Sequence, residues 1–231
     1  MKVIVDETSA DLRPRAQEFA TLSKEGQTVP IYREILADTA TPVSAYMKLR
    51  AQSDYTFLFE SVEGGERTGR YSFLGIRPTQ IFRSRGQNVT IEDRVAGGSR
   101  NFEADPKQAL REFMSPYTAS PQPGLPPFTG GAVGYLAYDG IRLVEDIPET
   151  AIDDMGLDDM VYALYKTVIA FDNLRHTILI IANARLQDGV SADQAYAEAA
   201  GRIDELEALL AAPVTLPGLG AGGGMSNVRS N

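Results

Sequence analysis

The sequence predicts an α+β fold in which antiparallel strands outnumber helices. Short segments rich in aromatic and β-branched residues follow one another between Gly, Pro or polar turns, as is typical of antiparallel strands. The clearest hairpin joins Met160–Phe171 to Arg175–Ala184 and turns at Asp172–Leu174. Helix signals lie near both ends and in the middle of the chain and do not alternate with the strands. A doubly wound parallel sheet is therefore not expected.

Apolar spacing and capping residues predict four helices. In the first, Gly26 stands where a glycine would end the helix. Thr41 and Pro42 match the N-cap and first position of the second. Ser191 and Gln194 have the spacing of a capping box for the last. The predicted helices are Leu12–Gly26, Thr41–Arg50, Asp105–Met114 and Ser191–Ala212. In the second helix, the residues expected to face inward are Val43, Tyr46 and Met47.

The remaining predicted strands are short and bounded by turn residues. They are Thr28–Leu36, Tyr55–Ser61, Arg70–Ile76, Gln80–Arg85, Asn88–Asp93 and Gly130–Asp139. Gly86–Gln87 predicts a hairpin turn. Gly130–Asp139 is apolar and has three glycines, which predicts a buried strand approached closely by neighbouring backbone. Ser115–Pro127 has five prolines and predicts a loop.

Two regions follow from these elements. Residues 1–212 contain all the predicted helices and strands and form one domain. Residues 213–231 are rich in glycine and lack hydrophobic periodicity, so that they predict a flexible linker. Such a linker leads us to expect a further domain that the chain does not contain.

Composition excludes several classes of function. The chain has 231 residues, 43% of them hydrophobic, and a formal net charge of −9. That charge repels phosphate backbones, so no nucleic-acid partner is expected. The absence of cysteine excludes disulfides, thiolate nucleophiles and cysteine-ligated metals. No stretch approaches the roughly 18 apolar residues of a membrane span, and a cytoplasmic protein without a membrane partner is expected.

Several motifs could carry chemistry but favour a structural interpretation. The glycines at 64, 65 and 69 lack the GK[ST] of a phosphate-binding loop, and Gly130–Gly134 precedes a strand rather than a helix. The single histidine, His176, has no second histidine or cysteine with which to bind a metal. Four aspartates in a polar connection favour a solvated acidic loop over a cation site. They are Asp153, Asp154, Asp158 and Asp159.

Glu60, Ser61 and Arg70 form a more distinctive set at the ends of two neighbouring predicted strands. A carboxylate at the edge of a core must be paired or hydrated, and Arg70 is the natural partner of Glu60. The three groups could hold a zwitterionic ligand, with the carboxylate for its ammonium and the guanidinium for its carboxylate. From spacing alone, a structural ion pair between Glu60 and Arg70 is favoured over a ligand site.

At these residues the sequence resembles a known family. Segments spread along the chain, in the family's order, are similar to anthranilate synthase component I, a chorismate-using enzyme that begins tryptophan biosynthesis. One of them, Phe128–Asp139, matches the family's Gly-Gly-x-x-Gly-Tyr-x-x-Tyr-Asp motif. The segments are Val29–Glu34, Thr41–Tyr46, Phe57–Glu63, Gly69–Gly75, Phe128–Asp139 and Phe171–His176.

The resemblance implies a four-layer αββα sandwich and a role in a larger lyase. Family members convert chorismate and ammonia from glutamine into anthranilate and pyruvate, and a glutamine amidotransferase subunit supplies the ammonia. Their N-terminal portion carries the tryptophan feedback site, whereas the C-terminal portion carries catalysis and the Mg²⁺ ligands. This chain resembles the first portion, and Ser230–Asn231 resembles the start of the second. The chain alone is therefore expected to have no catalytic or metal-binding residues and to be inactive.

The resemblance also implies which residues bind L-tryptophan, the feedback inhibitor. Carried over position by position, they are Pro42, Glu60, Ser61 and Arg70. Glu60 and Ser61 would hold the polar backbone of the ligand, Arg70 its carboxylate, and Pro42 the indole. The family often has lysine at the position of Arg70, so arginine keeps the charge but changes the reach.

Three other functions stay open at this point. Aminodeoxychorismate synthase component I, of the folate branch, shares the Gly-Gly-x-x-Gly-Tyr segment and the fold. A stand-alone amino-acid sensor would need no further domain. A small nucleotide-binding enzyme would use the glycine-rich loops to bind ATP or NAD.

Overall fold

A computed structural model shows two five-stranded antiparallel sheets with helices on their outer faces. It describes residues 12–23, 28–60, 69–119, 122–148, 153–186 and 189–213. Within these ranges the strands are β1 (Thr28–Leu36), β2 (Thr56–Phe59), β3 (Tyr71–Ile76), β4 (Gln80–Arg85), β5 (Asn88–Asp93), β6 (Ser99–Glu103), β7 (Gly131–Leu136), β8 (Met160–Tyr165), β9 (Thr167–Asp172) and β10 (Thr177–Arg185). Sheet A has the order β1-β10-β9-β3-β2, and sheet B has the order β6-β5-β4-β8-β7.

Four α-helices are described, each at a predicted place. They are α1 (Ala16–Leu22), α2 (Pro42–Leu49), α3 (Pro106–Met114) and α4 (Ala192–Ala211). Thr41 caps α2 through its side chain, which accepts a hydrogen bond from the Ser44 amide at 3.1 Å. Ser191 and Gln194 form the predicted capping box of α4. In the described part of the chain, no helix has the length and apolar composition needed to span a membrane.

Three apolar cores make the protein a sandwich of four layers. One core lies between sheet A and the helices α1, α2 and α4, and includes Ile180 and Ile203. A second lies between the sheets, and a third joins sheet B to α3 around Phe82 and Phe113. Each fully buried aliphatic side chain contributes about 1.5–3 kcal/mol to folding. The predicted α+β class and the αββα layering are therefore confirmed.

The inward residues of α2 were predicted only in part. Tyr46 packs against the core, but Val43 is 49% exposed, and the buried residues of the helix are Ala45 and Leu49. The helix meets sheet A with its Ala45–Leu49 side, because these residues are four apart and share one face.

The prediction of one strand over Met160–Phe171 is wrong. β8 ends at Tyr165 and belongs to sheet B, whereas β9 begins at Thr167 and belongs to sheet A. Lys166 alone separates them, and the chain there crosses from one sheet to the other. Both strands are buried and apolar, so hydrophobic alternation gives no sign of the break.

Two further differences concern sheet B. β7 forms an edge of the sheet and is half-buried to exposed, so the buried strand predicted over Gly130–Asp139 is wrong. The predicted close approach is confirmed, because a methyl group on Gly134 would overlap with the backbone of Val161. β6 was not predicted, since its polar residues show no strand pattern; its pairing with β5 organises it.

The edge strands β2 and β7 lie on the same side of the sandwich, where the core between the sheets opens to the surface. The opening is an almost wholly apolar recess of about 410 Å³. Its aromatic lining comes from Phe59, Phe73, Phe128 and Tyr162.

Candidate functional site

One end of sheet A gathers the predicted site residues. The ends of β1, β2 and β9 and the starts of β3 and β10 meet there, because neighbouring strands run in opposite directions. Glu60 directly follows β2, Arg70 directly precedes β3, and Pro42 begins α2 just after β1. The fold thus brings three of the four predicted residues to the same end of the sheet.

A recess of about 450 Å³ lies at this end, between residues 37–42 and the turn that joins β9 to β10. Pro42 lines one wall, and Phe171, Asn173 and Thr177 line the other. The Ala37 amide donates a hydrogen bond to the His176 carbonyl at 3.0 Å, which fixes the two walls relative to each other. Its volume lies within the range of pockets that hold small organic ligands.

Arg70 forms an ion pair with Asp172, one of the residues that line this recess. Its Nη2 donates to Oδ2 of Asp172 at 2.6 Å, and its Nε lies 3.1 Å from Oδ1 and 3.2 Å from Oδ2. The expected pairing of Arg70 with Glu60 is therefore wrong. Arg70 faces Asp172 because β3 and β9 are neighbours, and Asp172 pairs with Tyr71, the residue after Arg70.

Asp172 is 3% exposed and stays charged. Burial raises the pKa of its carboxyl, but hydrogen bonds from Arg70 and from two amides of the turn outweigh this effect and hold the pKa below its usual range. The amides are those of Leu174 at 3.1 Å and Arg175 at 3.2 Å. The ion pair in turn raises the pKa of the Arg70 guanidinium.

Asn173 ties the backbone of Arg70 to the same turn. Its amide donates to the Arg70 carbonyl at 2.8 Å, and its side-chain nitrogen donates to Ser72 Oγ at 3.2 Å and to the Gly69 carbonyl at 3.3 Å. The Arg70 guanidinium also lies 4.8 Å from the centre of the Tyr71 ring, a cation–π contact. Both the backbone and the side chain of Arg70 are therefore held in place.

Glu60 is exposed, and it forms no ion pair with any residue that the structure describes. Because Phe59 pairs with Phe73, the antiparallel register brings Glu60 beside Ser72, two residues from Arg70. Ser61 and the neighbouring glycines 64 and 65 lie outside the described residues. The place of Ser61 in the site therefore stays a prediction.

The other sequence motifs do not form a second site. Asp153 pairs with Arg85, Asp158 pairs with Arg83 at 3.0 Å, and Asp159 accepts from the Gly86 amide at 2.7 Å. Asp153 and Asp154 are exposed, in agreement with the favoured solvated loop, while three of the four aspartates also bind the arginines and the turn of sheet B. Among the described residues, no group of three or more His, Asp or Glu could hold a metal ion.

Sequence reasoning missed Asp172 and Asn173 as site residues. Both were predicted in the turn of the last hairpin; Asn173 lies there, whereas Asp172 is the last residue of β9. Asp and Asn are common at such turns for backbone reasons alone. The signal that could have found them is the pairing of β9 with β3, which joins segments 102 residues apart. Such long-range pairing has no local signature.

Comparison with known proteins identifies relatives of the chain. No family model matches the chain. Anthranilate synthase component 1 of Acinetobacter calcoaceticus is 41% identical over 209 residues, covering 86% of this chain and 40% of the relative. The same enzyme of Mycobacterium tuberculosis H37Rv is 40% identical over 208 residues, with 86% and 39% covered. The chain is homologous to the N-terminal part of anthranilate synthase component 1.

Two further matches have lower sequence identity. A probable anthranilate synthase component 1 of Schizosaccharomyces pombe is 34% identical over 205 residues, covering 88% of this chain and 38% of the relative. The crystal structure of anthranilate synthase component I from Streptococcus pneumoniae matches with a TM-score of 0.48 at 22% identity, over 78% of this chain and 37% of that one. The chain thus spans about 40% of the length of the curated relatives that it matches.

Proposed function

We propose that this chain is the regulatory N-terminal portion of an anthranilate synthase component I and carries part of its L-tryptophan feedback site. The whole enzyme, a lyase, would convert chorismate and ammonia into anthranilate and pyruvate in tryptophan biosynthesis. The names of the relatives reported above support the tryptophan branch over the folate branch. The chain alone would bind the inhibitor and have no catalytic activity.

The observation that carries this proposal is that Pro42, Arg70 and Glu60 lie at the same end of sheet A as a recess of about 450 Å³, which Pro42 and Asp172, the ion-pair partner of Arg70, line. An amino acid needs an anion for its ammonium and a cation for its carboxylate. Glu60, with Ser61 beside it, offers the first, and Arg70 offers the second. Pro42 and Phe171 supply apolar surface for the indole.

Feedback inhibition follows from linkage. A ligand shifts a conformational equilibrium only by its difference in affinity for the two states. Tryptophan would therefore bind more tightly to a conformation in which the chorismate site is distorted. A recess formed by two separate segments suits this role, because a ligand that contacts both of them resists their relative movement.

The remaining requirements of the enzyme are assigned outside the described residues. Mg²⁺, its ligands and the catalytic groups would belong to the C-terminal portion, since the described residues contain no cluster suited to a metal. A glutamine amidotransferase subunit would supply ammonia, and the complex would act in the cytoplasm. These partners are inferred from the family resemblance and not from the geometry of the recess.

Tryptophan fluorescence tests the proposal directly. The chain has no tryptophan, so added L-tryptophan is the only indole in the sample. We expect a saturating change in its anisotropy that D-tryptophan does not produce and that Arg70→Ala weakens. Arg85→Ala is the matched control, because Arg85 also pairs with an aspartate but lies in sheet B. Equal titrations for both enantiomers, or no effect of Arg70→Ala, would contradict the proposal.

A further inference from the structure

The Arg70 guanidinium has one edge occupied and one edge free. An arginine side chain carries five N–H donors. Nε and Nη2 are directed to Asp172, whereas Nη1 has no acceptor among the residues that the structure describes. The side chain is 30% exposed. The free Nη1–Nη2 edge can therefore donate two parallel hydrogen bonds to a carboxylate.

Asp172 cannot accept much more. Its two oxygens already accept from Arg70 and from the amides of Leu174 and Arg175. Three of these four donors approach Oδ1 and the fourth approaches Oδ2, and Asp172 is 3% exposed, so little of its carboxylate is open to a further donor. Asp172 is thus unsuited to bind the ammonium of a ligand, and its effect on a ligand must pass through Arg70.

Asp172 joins the recess to Arg70, because it lines the recess and pairs with the Arg70 guanidinium. Asp172 lines the recess together with Pro42, Phe171 and Asn173. Its carboxylate is oriented by the turn amides, and the Arg70 backbone is held by Asn173. Because both its backbone and one edge of its guanidinium are held, Arg70 loses little conformational freedom when it binds an anion, and the anion binds more tightly.

From this geometry we propose that Asp172 is a positioning residue of the regulatory site, which holds one edge of Arg70 and thereby presents the other edge to the α-carboxylate of the inhibitor. The inference rests on the proposed function. It assigns to Asp172 a role in regulation that does not require contact with the ligand. Arginine suits this role, because its planar guanidinium can hold Asp172 and a carboxylate with two separate edges.

The test is the inhibition of ammonia-dependent anthranilate formation in the intact gene product with its amidotransferase subunit. For each variant, the L-tryptophan concentration that halves the rate is measured relative to the uninhibited rate of that variant. We expect Asp172→Asn to raise this concentration about tenfold or more, because charge-assisted hydrogen bonds that orient Arg70 are lost. Asp172→Glu, which keeps the charge, is expected to recover most of the loss. Asp153→Asn is the matched control, since Asp153 also joins an arginine to a turn amide, and we expect a change of less than about twofold.

A double-mutant cycle separates positioning from a general structural effect. If Asp172 acts through Arg70, Asp172→Asn has little further effect in an Arg70→Ala background. The same factor in both backgrounds, or native inhibition of Asp172→Asn, would overturn the inference. Where Arg70→Ala leaves no measurable inhibition, or where Asp172→Asn fails to fold by circular dichroism, Asp172→Glu decides: inhibition weaker than native but measurable supports positioning, and unchanged inhibition overturns it.

The failure of this inference is distinguishable from that of the proposed function. If L-tryptophan does not inhibit the native protein, or if Arg70→Ala is inhibited like the native protein, the proposed function fails and the inference with it. If Arg70→Ala loses inhibition while Asp172→Asn keeps it, only the positioning role is overturned.

Discussion

Gly134 of β7 lies so close to Val161 of β8 that a methyl group at position 134 would overlap with the Val161 carbonyl oxygen. The contact lies at the edge of sheet B, where β7 pairs with β8 over six residues. Gly134 is therefore required by close backbone approach, not by a turn.

Gly134→Ala is expected to destabilise the protein by about 1–3 kcal/mol, because β7 must shift to relieve the overlap. Urea unfolding followed by circular dichroism measures the change. Gly201→Ala is the matched control: Gly201 lies within α4 with open space around it, and alanine there is expected to stabilise the protein by about 0.5–1 kcal/mol. Equal effects of the two substitutions would contradict the close approach.

Asp172→Asn is expected to lower the free energy of unfolding at neutral pH by about 1–3 kcal/mol. The pKa of Asp172 lies below its usual range in the folded protein. The stabilisation is therefore complete above the unfolded pKa of about 3.9 and is lost as the pH falls through the lower folded value. The difference between native protein and variant should be constant from pH 7 to 5 and shrink below pH 4.

Urea midpoints between pH 3 and pH 7 measure this pH dependence. Asp154→Asn is the control, since Asp154 is exposed and forms no ion pair with the described residues, and we expect no measurable change. A difference for Asp172→Asn that stays the same down to pH 3 would show that charge on Asp172 does not contribute.

Lys166→Met is expected to stabilise the protein by up to about 1 kcal/mol. Burial, followed by the charges of Arg202 and Arg185, lowers the pKa of Lys166, and its ammonium has no ion pair or hydrogen bond with the part of the chain that is described. Methionine keeps the apolar part of the side chain and removes the poorly solvated charge. Thermal unfolding measures the change.

Lys48→Met is the matched control for Lys166. The Lys48 ammonium donates to the Leu210 carbonyl at 2.5 Å, so its removal is expected to destabilise the protein by about 1 kcal/mol. Destabilisation by both substitutions would show that the Lys166 charge is well accommodated.

Ser61→Phe is expected to abolish tryptophan inhibition in the intact gene product, because a phenyl group beside Glu60 would occupy the place of the ligand backbone. Inhibition relative to the uninhibited rate of the variant is the measurement. Ser99→Phe, on the exposed edge strand β6, is the control. Ser53 is not suitable as a control position, since its Oγ accepts hydrogen bonds from the amides of Tyr55 and Arg77. Unchanged inhibition would remove Ser61 from the site.

Local signals in the sequence predicted much of the fold. β1 and the capped starts of α2, α3 and α4 lie where they were predicted, because strand composition and caps act within a few residues. The crossing at Lys166 was missed, since a single lysine between two apolar strands carries no turn signal. β6 was missed because pairing with β5, not its own composition, makes it a strand.

The positions of three candidate site residues agree with the sequence analysis, but their contacts do not. Resemblance to the family named Pro42, Glu60 and Arg70, and the fold brings them to one end of sheet A. The expected partner of Arg70 was Glu60, its neighbour in the hairpin, whereas the observed partner is Asp172 from the adjacent strand. Proximity in sequence favours the pair Arg70–Glu60, and only the order of strands in the sheet reveals the pair Arg70–Asp172.

The single-residue crossing at Lys166 has a consequence for how the protein melts. β8 is paired on both sides in sheet B, and β9 is paired on both sides in sheet A, with one residue between them. Because β8 and β9 are joined by one residue, the separation of either strand from its sheet would displace the other strand. The two sheets should accordingly melt together, in one calorimetric transition whose van't Hoff and calorimetric enthalpies agree.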